Sequence, residues 1–166
     1  VSGAQSGVLR VSRAPVDERL QANFSLSEFV RSDLAVRQGI DNRPTGIEMT
    51  HVRTVLAPGM QRVRNVLGVP VHITSGYRCP ELNRALGGAP LSQHLQGLAA
   101  DFVAPEFGSP RSIARFLRDN AELIRFDQLI FEGSWVHASF VDGRPRNQVL
   151  TAHFAGGGVT YSPGVA

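Results

Sequence analysis

Of the five histidines in the chain, two stand in segments that also supply partners for a metal ion. The run Ser92-Gln93-His94-Leu95-Gln96-Gly97-Leu98-Ala99-Ala100-Asp101 sets a histidine in a loop and an aspartate in the strand that follows. Gly97 lets the backbone turn sharply between them, and Ala99 leaves room beside an ion. A third donor lies in Trp135-Val136-His137-Ala138-Ser139, where strand alternation puts Trp135, His137 and Ser139 on one face. If residues 135–141 run beside residues 99–103, the two imidazoles and the carboxylate converge. Three such ligands are the set of a hydrolytic zinc site, which keeps one coordination position for water. The ion would retain net positive charge, enough to lower the pKa of a bound water toward about 7. His51, His72 and His153 lack ligand partners nearby in sequence and read as ordinary helix and strand residues. Cys79, the single cysteine, suggests a cysteine hydrolase, but that chemistry leaves the aspartate-containing run unexplained.

The elements that must position these residues are legible from periodicity and punctuation. Ser25 and Glu28 have capping-box spacing, which predicts a helix to about Leu34, and residues 39–44 are then loop. Apolar residues at three- and four-residue intervals predict a helix over 47–67, kinked or divided at Pro58-Gly59. The β-branched run 69–74 predicts a strand ending at Ser75-Gly76, and Pro80 opens a short helix stopped by Gly87-Gly88. Strands are expected over 99–103, 128–131, 135–141 and 148–154, with a helix from Ser109-Pro110 to about Asn120. Helices first and an antiparallel sheet later make the class α+β.

At 166 residues one domain is expected, with an N-terminal tail or arm over 1–23, the domain proper over 24–154, and a loose Gly-rich tail over 155–166. No apolar run reaches the roughly 18 residues of a membrane span. All 17 basic residues are arginine and they are scattered, so the net charge of +3 selects no anionic polymer, and no nucleic-acid motif is present. The single cysteine excludes an internal disulfide framework. The opening residues 1–10 lack the apolar stretch of a secretory signal, as expected of a chain whose leader has been removed or whose start was trimmed.

The pattern Ser-x-His-x-x-Gly-x-Ala-x-Asp from Ser92 to Asp101, followed by Trp-x-His at Trp135 to His137, resembles the zinc D-alanyl-D-alanine carboxypeptidases and cell-wall endopeptidases of the hedgehog/DD-peptidase superfamily. Ser75-Gly76-Tyr77-Arg78 and Leu82-Asn83 match in the same order, and residues 24–42 look like the lead-in of the phage and bacterial branch. The resemblance implies a small antiparallel sheet with helices packed on it, and zinc held by His94, Asp101 and His137. It further implies that Arg78 binds substrate and steadies the oxyanion, while Ser92 orients a ligand or the substrate. Trp135, sharing the His137 face, is a candidate groove wall. Relatives carry a catalytic carboxylate three residues before the last histidine, where this chain has Ser134. Glu132 is the nearest carboxylate, and a bulge at Gly133-Ser134 would bring it over the site as general base. The implied substrate is peptidoglycan stem peptides or their cross-links, cut by a monomer in the periplasm, outside the cell, or as a phage endolysin or virion component. The alternative is a zinc-containing cell-wall-binding or virion module without turnover.

Overall fold

The computed structural model describes residues 17–165. Its larger sheet has the spatial order β3-β4-β6-β5-β7-β8, built from β3 (His72–Ser75), β4 (Ala99–Val103), β5 (Gln128–Phe131), β6 (Val136–Ser139), β7 (Gln148–Ala155) and β8 (Gly158–Pro163). Neighbours pair antiparallel except β5 and β7, which run parallel. Side-chain alternation divides the sheet into two chemistries. Ala100 and Phe102 of β4, Leu129 and Phe131 of β5, and Val136 and Ala138 of β6 enter the hydrophobic core. The residues between them, Asp101, Ile130 and His137, line an open cleft on the other face. Fully burying side chains such as Phe102 is worth roughly 1.5–3 kcal/mol each, so register is enforced by the core face. The cleft face inherits that precision.

The helices pack on the core face. Residues 46–67 form one continuous rod: α3 (Gly46–His51), a π-helical turn (Val52–Leu56) and α4 (Ala57–Leu67). The division expected at Pro58 does not occur. Ala57 N–H bonds back to Val52 O, five residues away, and this wider turn accommodates the ring and missing donor of Pro58 without breaking the helix. Val52, Leu56, Met60 and Val63 of the rod are fully buried. α6 (Pro110–Asp119), capped by Ser109 Oγ accepting from Ser112 N–H at 3.2 Å, adds Ile113, Ala114 and Leu117 to the same core, and α7 (Ala121–Ile124) adds Ile124. α5 (Pro80–Ala85) starts on proline as expected.

Three further expectations are corrected. The helix expected from Ser25 to Leu34 is two, α1 (Leu26–Val30) and α2 (Asp33–Gln38), because Arg31 is extended and Ser32 caps a new start, accepting from Ala35 N–H at 3.3 Å. The arm expected over 1–23 lies partly outside the described residues, but its described end belongs to the domain. There β1 (Arg19–Gln21) pairs with β2 (Phe24–Ser25), and Glu18 forms an ion pair with Arg53 at 2.8 Å. The third concerns residues 155–166, expected to be a loose tail, which supply β8. Gly156 and Gly157, at φ 58° and 79°, make the two-residue turn that closes a β7–β8 hairpin, a conformation in which both positions favour glycine.

Candidate active site

His94 sits on a single 3-10 turn (Gln93–Gln96) held at both ends. Ser92 Oγ accepts from His94 N–H at 3.3 Å, so the serine positions the histidine's own backbone. At the other end Gly97 has φ 69°, and a Cβ there would stand 2.7 Å from Glu48 O, so glycine is required by conformation and by space. The imidazole is oriented by a backbone oxygen: His94 Nδ1 lies 2.7 Å from Gly76 O. With that nitrogen donating its proton to the carbonyl, Nε2 presents a lone pair inward.

Asp101 and His137 are cross-strand partners on β4 and β6, so the sheet register itself brings them together. The three donor atoms form a tight triangle. His94 Nε2 is 3.2 Å from His137 Nδ1 and 3.2 Å from Asp101 Oδ1, and His137 Nδ1 is 2.9 Å from Asp101 Oδ1. Tetrahedral ligands at zinc distances of about 2.0–2.1 Å would stand roughly 3.3 Å apart, so these donors fit one small ion. All three residues are buried, and theirs is the one such His/Asp cluster among the described residues. Burial lowers the His94 pKa, with His137 and Arg78 acting in the same direction, which keeps the imidazole neutral and its lone pair free. Burial alone would raise Asp101, but its electrostatic contacts and hydrogen bonds with the ring nitrogens of His94 and His137 hold it well below the usual carboxylate range.

Arg78 shares the carboxylate. Its Nη2 donates to Asp101 Oδ2 at 2.5 Å and its Nε to Ser75 Oγ at 2.8 Å, so one aspartate oxygen faces the histidines and the other faces the guanidinium. The backbone on both sides of Arg78 is clasped by Asn42. The Asn42 amide donates to Tyr77 O at 2.9 Å and accepts from Cys79 N–H at 2.7 Å. Nothing in the polar run Asp41-Asn42-Arg43 distinguishes this asparagine from a loop residue, and sequence reasoning missed it. Cys79 is used locally: Sγ accepts from Leu82 N–H at 3.5 Å as the cap of α5.

Glu132 and Trp135 occupy the turn between β5 and β6. Trp135 lies just outside β6 rather than in it, and Glu132 N–H donates to Trp135 O at 3.1 Å across the turn. The side chains bond as well, with the indole Nε1–H donating to Glu132 Oε2 at 2.7 Å. Both residues line the cleft with His94, Asp101, His137, Arg78 and Ser92. The Glu132 pKa is raised, first by burial and then by the negative charge of Asp101, against the opposing effects of His137 and the indole bond. The sequence-predicted residues are thus brought to one place. His51 instead bonds the Gln96 carbonyl at 2.8 Å, and His153 bonds Ser162 at 2.8 Å.

The cleft has a volume of about 1260 Å³ and reaches from α1 and α2, past the triangle, to Phe154, Val159 and Tyr161 on the β7–β8 hairpin. Asp127, just before β5, is buried and takes bonds from Arg146 Nη2 at 2.5 Å and from Gln93 Nε2 at 3.2 Å, tying the loop before β7 to the turn that carries His94. This tie had no local sequence signal, since it joins segments distant along the chain.

No curated protein matches the chain. Among family models, one described as peptidase M15, a family of metallopeptidases, matches residues 22–139, a span that contains every residue of the triangle together with Arg78 and Glu132. The chain therefore belongs to the peptidase M15 family.

Proposed function

We propose that this protein is a zinc metallopeptidase that hydrolyses peptide bonds in peptidoglycan stem peptides or their cross-links. The observation that carries the reading is the buried triangle of His94, Asp101 and His137 in the floor of a cleft that also holds Arg78 and Glu132. His94 through Nε2, His137 through Nδ1 and Asp101 through Oδ1 would hold the ion. Bound there, zinc would supply Lewis acidity toward water and a peptide carbonyl.

The chain's own groups divide the remaining work. Glu132, kept basic enough by burial and by Asp101, takes a proton from the attacking water and returns it to the departing amine as the C–N bond breaks. Arg78 holds the carboxylate of Asp101 with Nη2 and offers its remaining N–H groups to the substrate oxygen on which charge develops. Trp135 fixes Glu132 through the indole bond and walls the groove beside it. Ser92 acts by capping the turn that carries His94. A cleft of about 1260 Å³ exceeds the usual 300–1,000 Å³ of small-ligand pockets, which favours an extended peptide over a terminal dipeptide. Peptidoglycan as substrate would put the work in the periplasm, outside the cell, or in phage-borne lysis.

The test is mass spectrometry of muropeptides after digestion of purified peptidoglycan, with the zinc-loaded protein and with the chelated one. Shortened stems or resolved cross-links in the zinc arm alone support the reading. Peptidoglycan that is bound but left uncut would make the protein a wall-binding module.

A further inference from the structure

The β7–β8 hairpin lies beyond residue 139, where the family match ends. It nevertheless carries an apolar surface into the cleft. Phe154 is 61% exposed, Val159 42% and Tyr161 50%, yet all three line the same cavity as the metal triangle. Phe154 pairs with Val159, and Tyr161 with Ala152, so the three side chains share one face of the hairpin. That face continues inward through Leu150 and Ile130 toward His137. Exposed apolar side chains gathered on one face beside a cleft mark a surface on which a ligand packs. The cleft of about 1260 Å³ leaves room for a chain that extends from the metal triangle along this face.

Tyr161 is placed differently from its two neighbours. Its hydroxyl has no hydrogen-bond partner among the described residues. Tyr161 lines the cleft together with Glu132, Asp101 and His137, and its pKa is raised first by partial burial and then by the charges of Glu132 and Asp101. Both charges, like the burial, favour the protonated phenol, which can donate a hydrogen bond. From β6 to β8 the sheet order counts three strand spacings, or about 14 Å at roughly 4.8 Å each. An extended peptide covers that span in about four residues at about 3.4 Å apiece.

Resting on the zinc-peptidase reading, we infer that the β7–β8 hairpin is the second wall of the substrate groove and that Tyr161 is a substrate-binding, specificity-determining residue. The occupant is an extended peptide with aliphatic side chains, about four residues of it on this side of the scissile amide. The Tyr161 ring packs on those side chains, and its hydroxyl donates to a substrate carbonyl. Phe154 and Val159 extend the same wall outward.

The experiment compares the zinc-loaded parent with Tyr161→Ala, Tyr161→Phe and Phe154→Ala on two synthetic stem peptides, one with the full chain on both sides of the cut and one truncated to a dipeptide. Zinc content and Tm are measured for each variant, so a misfolded protein is recognised. Tyr161→Ala is expected to lower kcat/KM on the long peptide by 10-fold or more, mostly through KM, while the dipeptide changes less than threefold. Tyr161→Phe should fall between, because it keeps the ring and loses the donor, and Phe154→Ala should lose a few-fold on the long peptide only. Equal losses on both peptides, or none on the long one, overturn the hairpin as substrate wall while leaving the peptidase reading intact. If the parent cuts neither peptide, the peptidase reading fails, and binding of the long peptide followed by Trp135 fluorescence then decides. Binding lost in Tyr161→Ala supports the wall; no binding by the parent, or binding unchanged in the variant, overturns it.

Discussion

Replacing Arg78 by lysine keeps a positive charge in the cleft and removes the planar fork. In the native arrangement Nη2 donates to Asp101 Oδ2 at 2.5 Å while Nε donates to Ser75 Oγ at 2.8 Å. An ammonium on a flexible stem cannot keep both contacts with that geometry. The Arg78 side chain is 15% exposed and that of Asp101 7%, so the lost bond is a sheltered, charge-assisted one, worth about 1.5–3 kcal/mol. Asp101 would then be less firmly aimed at the histidines. A loss of that size corresponds to roughly 10–100-fold in metal affinity, the range seen when groups that orient metal ligands are removed. Separately, if the guanidinium also meets the developing oxyanion, kcat at saturating zinc should fall by about 100-fold or more. Competition against a chromophoric chelator reads the first effect, and steady-state kinetics with excess zinc reads the second. Zinc affinity and kcat both within a factor of two of the parent would refute the reasoning entirely. A fall in affinity alone would make Arg78 a positioning residue for Asp101.

Glu132→Gln should keep zinc and lose most turnover; because burial and Asp101 raise the Glu132 pKa, the parent's kcat/KM should rise with pH only above the ordinary carboxylate range, and that acidic limb should be missing from any residual activity of the variant. Burial opposes the charge of Asp127, but the bonds from Arg146 and Gln93 outweigh it and lower the pKa. The stability it contributes is therefore present above its unfolded pKa of about 3.9 and is lost as pH falls through the depressed folded value. Asp127→Asn should cost about 1–2 kcal/mol at pH 7, less than the full charged range of about 1.5–3 kcal/mol because Arg146 is half exposed, and lower Tm by roughly 2–8 °C in calorimetry. An unchanged Tm would show the tie to be incidental.

How much of this was legible in the sequence depended on the distance over which each feature is encoded. The His94 turn was readable because its cap, its glycine and its aspartate lie within ten residues. The pairing of Asp101 with His137 followed from alternation once the two strands were assumed adjacent, and the register bears this out. Glu132 was expected to need a bulge; a tight turn holds it instead, with the indole of Trp135 as its partner. Pro58 misled because proline is read as a break, whereas a π turn upstream absorbs it. The glycines after Ala155 misled in the opposite sense: a Gly-Gly pair signals disorder or a tight hairpin equally well, and only the partner strand decides. Asn42 and Asp127 act through backbone and side chains 35 and 34 positions away, and nothing local marks such contacts.

The most direct test of the central claim is the zinc dependence of peptidoglycan cleavage. Muropeptides are profiled by mass spectrometry after incubation with the zinc-loaded protein, with the chelated protein, and with the chelated protein after zinc is restored. The account predicts new shortened or uncrosslinked stems in the first and third samples and none in the second. An identical profile in all three would contradict it.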